Sequence, residues 1–366
     1  MLIYIVVLFL IAIYSLYPYK KHNSQQSRKI FLFLSFTTMG LVLGLRGRTV
    51  GEDTGHYLDV FKYSANVNWM NMIHSTGMRT GYFTDEFGYT DTIENGFLIL
   101  AKAIHIFTDN GQIFIFFVSA ITCALFAKFI YDNCKNDVVL PTFIFLCESM
   151  FMLAFNGVRQ ILAVAIAIQA YRLLNEKKWK KAILVITIAT LIHNVALVCF
   201  VLFPIAFIRP KKEFKTFKYA IIISIASPFI IVLGQTVIIK IFPRYTAYFS
   251  TNFWGNSIGG TAILWIIEFG LILVNYWKKF RNKDLFQTSC LVLMYLACEL
   301  MGLRITMFSR VGWFFRAYLI LFFPMCRQYF ERKTWKEFEV VLFILLLLLY
   351  FSYAGNSART YLFFWQ

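Results

Sequence analysis

Charge is scarce in this chain, and acid is scarcer still. Only 15% of its 366 residues are charged and 59% are hydrophobic, with 19 Asp and Glu against 36 Lys and Arg. Together with a mean hydropathy of +0.64, this excludes a soluble globular domain and predicts a polytopic membrane protein. The seven cysteines are scattered, mostly inside apolar runs, with no C-x-x-C pair. That spacing offers neither a redox motif nor a metal site, and the thiols read as small buried side chains. P-loop, G-x-S-x-G, H-E-x-x-H and Rossmann patterns are also missing from any supporting context. Met1 to Pro18 lacks a basic leading stretch and an A-x-A site. It is expected to be a first membrane helix with its N-terminus outside, not a signal peptide. No internal repeat, low-complexity tract or soluble domain is visible.

What is present is a succession of apolar runs: 1–18, 30–45, 96–107, 113–131, 138–155, 161–174, 182–208, 219–241, 261–277, 285–303, 311–325 and 339–353. Roughly 20 apolar residues cross a bilayer, so the expected fold is all-α. It has about 12 transmembrane segments in a single polytopic domain over 1–366, with outer loops at about 46–95 and 242–260. The net charge of +17 sits in short clusters between the runs. That is the pattern of cytoplasmic loops under the positive-inside rule, and it implies no nucleic-acid partner.

Six clusters hold 24 of the 36 basic residues: 20–29, 128–135, 172–181, 209–218, 278–283 and 327–336. Placing all six on the cytoplasmic side imposes two conditions. The run 96–107 is too short to cross and must be an interfacial or re-entrant helix. The run 182–208 has basic clusters at both ends, so it must enter and return as a broken hairpin with His193-Asn194 at its tip. Arg46, Arg48, Glu52, Asp53, His56, Glu94, Asn156, Arg159, Arg244, Arg304 and Arg310 then collect on the extracytoplasmic face.

Several constellations carry chemistry. In Arg46 to Tyr57, two arginines suit a phosphate or pyrophosphate clamp, and the glycines admit close backbone approach. The alternative is a polar turn whose arginines pair with their own carboxylates. Glu52, Asp53 and His56 are a weaker candidate for a divalent cation. The segment Asp59 to Glu94 is rich in Tyr, Trp, Asn, Asp and Thr, which suits a carbohydrate-facing surface or any exposed loop. Phe155-Asn156-Gly157-Val158-Arg159-Gln160 places polar groups between two apolar runs, a position where an arginine is costly unless used or anchored at the headgroups. His193 in a broken hairpin is either a base or phosphate donor facing a polar cavity, or a hydrogen-bonded packing residue. Arg244-Tyr245, Arg304, Arg310 and Arg316 form a further set. Glu148, Glu268 and Glu299 lie inside apolar runs, where they would also suit a proton-coupled transporter.

The motifs R-x-R-x-x-G-x-D-x-x-x-Y (Arg46 to Tyr57), E-x-G-F (Glu94 to Phe97), F-N-x-x-R-Q-x-L-A (Phe155 to Ala163), A-x-L-I-H (Ala189 to His193) and R-x-G-x-x-F (Arg310 to Phe315) occur in that order. The pattern resembles the EpsG/Wzy-type family of polysaccharide polymerases. The resemblance implies a membrane glycosyltransferase of GT-C-like architecture in the bacterial plasma membrane, active on its outer face without metal or other cofactor. It implies that glycan linked to undecaprenyl pyrophosphate is transferred onto a newly flipped lipid-linked repeat unit, with a flippase and a chain-length regulator as partners. Asp53, Glu94 and His193, in that order, are the candidate bases. Arg46, Arg48, Asn156, Arg159, Gln160, Arg244, Tyr245, Arg304 and Arg310 are the candidate pyrophosphate and substrate ligands. An O-antigen-type ligase and a transporter of lipid-linked or anionic substrates are the competing expectations.

Overall fold

In hydrocarbon the backbone must satisfy its own N–H and C=O groups, so the apolar runs fold as helices. A computed structural model describes residues 1–21, 24–70, 79–84, 90–148, 150–207, 217–227, 229, 240, 261–280, 282–303, 305–355 and 360–366. Among these, six helical stretches of 18 to 23 residues are long and apolar enough to cross a membrane: Leu2–Lys20, Gln25–Gly44, Gly111–Asn133, Lys283–Gly302, Arg332–Ala354 and, taken across the break after Cys147, Val139–Asn156. The chain divides into two compact units, residues 1–200 with 350–366, and residues 201–349.

The first unit begins with α1 (Leu2–Lys20), α2 (Gln25–Gly44) and α3 (Thr54–Asn66). A short antiparallel hairpin follows, β1 (Arg79–Thr84) with β2 (Thr90–Glu94). Neither α3 nor the hairpin was expected, because the segment has loop composition. After it come α4 (Asn95–His105), α5 (Gly111–Asn133), α6 (Val139–Cys147), α7 (Met150–Asn156), α8 (Val158–Ala167), α9 (Gln169–Asn175) and α10 (Trp179–Ile192). The 11 residues of α4 rise only about 16 Å, so it is too short to cross, as its run length predicted.

Breaks replace two expected continuous spans: the run 138–155 is interrupted after Cys147, and 161–174 divides at Ile168. In 182–208 a break was expected, and α10 stops at Ile192, next to His193-Asn194, ahead of a 3-10 stretch over Asn194–Val201. In the second unit, α11 (Leu202–Phe207), α12 (Phe217–Ser227), α13 (Thr261–Trp277), α14 (Lys283–Gly302), α15 (Thr306–Arg316) and α16 (Leu319–Cys326) lead into α17 (Arg332–Ala354). There the Asn275 amide donates to Ser289 Oγ at 3.2 Å and the Trp265 indole to Tyr295 Oη at 3.1 Å. Such bonds satisfy polar groups inside an apolar bundle.

Two glycines bring the loops of the first unit together. Gly51 has φ +84°, and a Cβ there would lie 2.2 Å from the Phe155 carbonyl oxygen. A Cβ on Gly96 would lie 2.6 Å from the Leu191 carbonyl oxygen. The C-terminal segment closes the same region: the Gly47 N–H donates to Leu362 O at 2.8 Å and the Phe364 N–H to Leu45 O at 3.0 Å. Beneath it, Tyr4 meets Phe155, Tyr350 and Tyr361 edge to face at 5.9, 6.5 and 6.3 Å.

Neither close approach has a flexible side-chain tip that could yield. Gly51→Ala and Gly96→Ala are each expected to cost about 2 kcal/mol or more, read as a fall of several degrees in melting temperature of the detergent-purified chain. Gly270→Ala, where a Cβ meets nothing within 4 Å, serves as the neutral control.

Candidate functional site

Glu94 stands where β2 gives way to α4, as that helix's N-cap residue, yet its carboxylate does not cap the helix. It turns instead to two other helix ends. Oε2 lies 2.8 Å from Arg159 Nη1. Oε1 lies 3.1 Å from His193 Nδ1 and accepts the Asn194 N–H at 3.2 Å. The Glu94 side chain is fully buried, whereas those of Arg159 and His193 keep 12% and 11% exposure. The carboxylate therefore forms the floor of the group, and its partners reach the accessible edge.

Each partner is delivered by a broken helix. Gly157, at φ −97° and ψ 55°, separates α7 from α8 and places Arg159 in the first turn of α8. A cation there opposes the positive end of the helix dipole, so a buried carboxylate is the partner the position requires. His193 takes extended backbone, φ −152° and ψ 114°, where α10 ends, while its N–H still donates to Ala189 O. The 3-10 stretch that starts at Asn194 leaves its first backbone N–H groups without partners inside it, and Glu94 accepts the one from Asn194. Because a carboxylate must receive a proton, His193 is the Nδ1–H tautomer in its neutral form, and Nε2 carries the ring's lone pair.

Burial raises the Glu94 carboxyl. The His193 hydrogen bond, the charges of Arg159 and His193, and the Asn194 N–H outweigh it, leaving the group at about 2. Glu94 is thus ionised throughout the physiological range and is a weak proton acceptor.

The remaining predicted residues divide by location. Arg46 is 1% exposed; Nε donates to Thr54 Oγ1 at 2.9 Å and Nη1 to Leu43 O at 2.6 Å. Its guanidinium lies over the Phe155 ring at 5.6 Å, and burial lowers it to about 10. Arg48 is half-exposed and ion-paired with Asp59 at 2.8 Å, so one arginine of the motif does pair with a local carboxylate. Asp53 is the N-cap residue of α3 and its side chain does not cap. Asn156 is half-buried, and its Oδ1 has no hydrogen-bond partner among the described residues. Gln160 is buried in the first turn of α8. Arg310 is exposed on α15 in the second unit. Arg244, Tyr245 and Arg304 lie outside the described residues. No three His, Cys, Asp or Glu residues, Glu52, Asp53 and His56 included, converge as metal ligands among the described residues.

Sequence reasoning named Glu94, Arg159 and His193 separately and missed that one carboxylate joins them. The motif glycines were the available signal: Gly51 rests on Phe155 and Gly96 on Leu191, so the first motif touches the third and the second touches the fourth. A family model described as the EpsG family matches residues 29–365, and that is a family of Wzy-type polysaccharide polymerases. No curated protein and no solved structure matches the chain.

A carboxyl held at about 2 in place of 4.5 contributes on the order of 3 kcal/mol. The sign is that of a depressed acid: the contribution is complete above pH 4.5 and is lost as pH falls toward 2. Melting temperature measured against pH should drop across that window, and Glu94→Gln should flatten this part of the profile.

Proposed function

The chain belongs to the EpsG family, and from that premise we propose that it joins lipid-linked oligosaccharide repeat units into a polysaccharide at the outer face of the plasma membrane. The observation that carries the mechanism is the Glu94–Arg159–His193 group, built at the ends of two broken helices. In the reaction, an acceptor sugar hydroxyl attacks the anomeric carbon of the glycan on its polyprenyl pyrophosphate. The new C–O bond forms as the bond to pyrophosphate breaks, the hydroxyl proton passes to His193 Nε2, and the pyrophosphate leaves with its added charge on Arg159.

Each role follows from the chemistry of the group. A catalytic base works best with a pKa near the working pH. That disfavours Glu94, at about 2, and favours an imidazole. Glu94 is then a positioning residue, fixing the His193 tautomer and opposing any charge the ring acquires. This order moves His193 from last place in the order read from sequence to first, ahead of Asp53 and Glu94. A guanidinium has five donors in a planar fork, enough to bridge a carboxylate and a phosphate. Fixed donors aimed at developing charge are worth most in a poorly hydrated site. Arg46, with two nitrogens hydrogen-bonded internally, holds the loop, whereas Arg48 keeps 40% exposure and remains a substrate ligand. Asn156 and Gln160 flank Arg159 as ligands for sugar or phosphate oxygens. Arg244, Tyr245, Arg304 and Arg310 stay in the proposed set on sequence grounds alone.

The test uses the native host with the gene deleted and lipid-linked glycans resolved by size. A single repeat unit should accumulate and the long ladder should vanish. Complementation with His193→Ala is expected to leave at least about 100-fold less polymer. Arg159→Lys should lose a similar amount, because it keeps the charge and loses the fork. A full ladder from Arg159→Ala would discard the leaving-group role. An unchanged ladder after deletion would discard the polymerase, and transfer of one finished glycan to a different acceptor would identify a ligase.

A further inference from the structure

A second site lies between α2 and α5, away from the motifs. These antiparallel helices enclose an open groove of about 470 Å³ that runs from Lys29 to Leu41 along one helix and from Tyr131 to Phe116 along the other. The groove is left open because Gly40, Ala120 and Ala124 on its floor are small, and Ala120 and Ala124 are exposed. At the far end the helices close: a Cβ on Gly44 would lie 2.6 Å from the Phe116 ring. The twelve-residue advance from Lys29 to Leu41 rises about 18 Å, close to one leaflet of a hydrocarbon core of about 30 Å.

The open end is basic. Lys29 and Lys128 line it beside Tyr131. Arg28, 9% exposed, donates from Nη2 to Tyr131 O at 2.9 Å and lies over the Tyr131 ring at 5.0 Å. Its buried Nε makes no hydrogen bond among the described residues. Asp132 is the acid here, and it is shared between Lys128 and Arg172. The cations outnumber it.

We propose that this groove binds an anionic phospholipid of the surrounding bilayer, with one acyl chain along the α2–α5 floor and its phosphate held by Lys29 and Lys128, Arg28 adding positive charge behind Tyr131. A groove in the wall of a membrane bundle is filled by lipid, and a basic pocket at its mouth selects the headgroup. The closure at Gly44 and Phe116 limits the occupant to a chain of one leaflet's depth, which fits an acyl chain and excludes a long polyprenyl tail. The proposal does not depend on the polymerase reading.

The test is native mass spectrometry of the full chain released from vesicles of equal phosphatidylglycerol and phosphatidylcholine. The chain should retain phosphatidylglycerol about tenfold over phosphatidylcholine. Lys29→Gln with Lys128→Gln, both at exposed positions, should bring that ratio toward one. Ala124→Leu should reduce retention of both lipids by occupying the floor, with size-exclusion in detergent reporting an unchanged fold. Equal retention by the wild-type chain, an unchanged ratio in the lysine variant, or full retention in Ala124→Leu would each overturn the proposal. So would displacement of phosphatidylglycerol by an equal concentration of polyprenyl phosphate.

Discussion

A fully buried carboxylate in an apolar bundle is the constraint on which the first unit depends. Alone, Glu94 would cost several kcal/mol to keep charged. It is tolerable because Arg159, His193 and the Asn194 backbone all turn to it. The dependence also runs the other way. Arg159 begins α8 at the wrong end of a helix dipole, and the chain at His193 abandons its helix inside an apolar run. Neither feature is stable without an acceptor, and one side chain supplies it to both. Polar groups that would be three separate penalties become one neutralised set.

Bringing that carboxylate to two helix ends demands close backbone packing, and glycine provides it. Gly96, two residues after Glu94, lets the start of α4 settle against Leu191, near the end of α10. Gly51 does the same between the loop after α2 and the end of α7. The loop is then fixed from behind by the internal bonds of Arg46 and from the side by its backbone hydrogen bonds with Leu362 and Phe364. Arg46 and Arg159 are thus opposite uses of one residue type. One has two nitrogens consumed by loop hydrogen bonds, while the other sits at an accessible edge with a carboxylate behind it.

The distinction was not legible in the sequence. Two arginines beside glycines look like a phosphate clamp, and spacing does not report that Thr54, eight residues after Arg46, captures its guanidinium. Likewise Glu94 and His193 stand 99 residues apart, so their pairing is a product of topology that no local pattern encodes. What the sequence did carry was cost. Glu94, Arg159 and His193 could be singled out because polar groups beside apolar runs are expensive, and the short run 96–107 announced a helix that does not cross. The helix α3 and the hairpin escaped notice because Thr, Asp, Asn and Tyr suit a loop as well as a short amphipathic element. The breaks at Cys147 and Ile168 escaped because hydropathy averages over them.

The two sites of the first unit bear on each other through α2. This helix starts at Gln25, just before Arg28 and Lys29, and ends at Gly44, just before Arg46 and Arg48. Its 20 residues rise about 30 Å, the thickness of a hydrocarbon core. A bilayer that takes α2 as a span therefore separates the Lys29 end from the Arg46 loop by its full depth. The lysines at the first end belong to one of the six basic clusters, which the positive-inside rule assigns to the cytoplasm. On the proposed reading the arginine loop belongs to the opposite face, and Gly51 packs it against Phe155, in the chain segment that delivers Arg159. The proposed outer-face placement thus draws on helix length, charge distribution and one glycine contact, and all three apply to it through the crossing of the bilayer by α2.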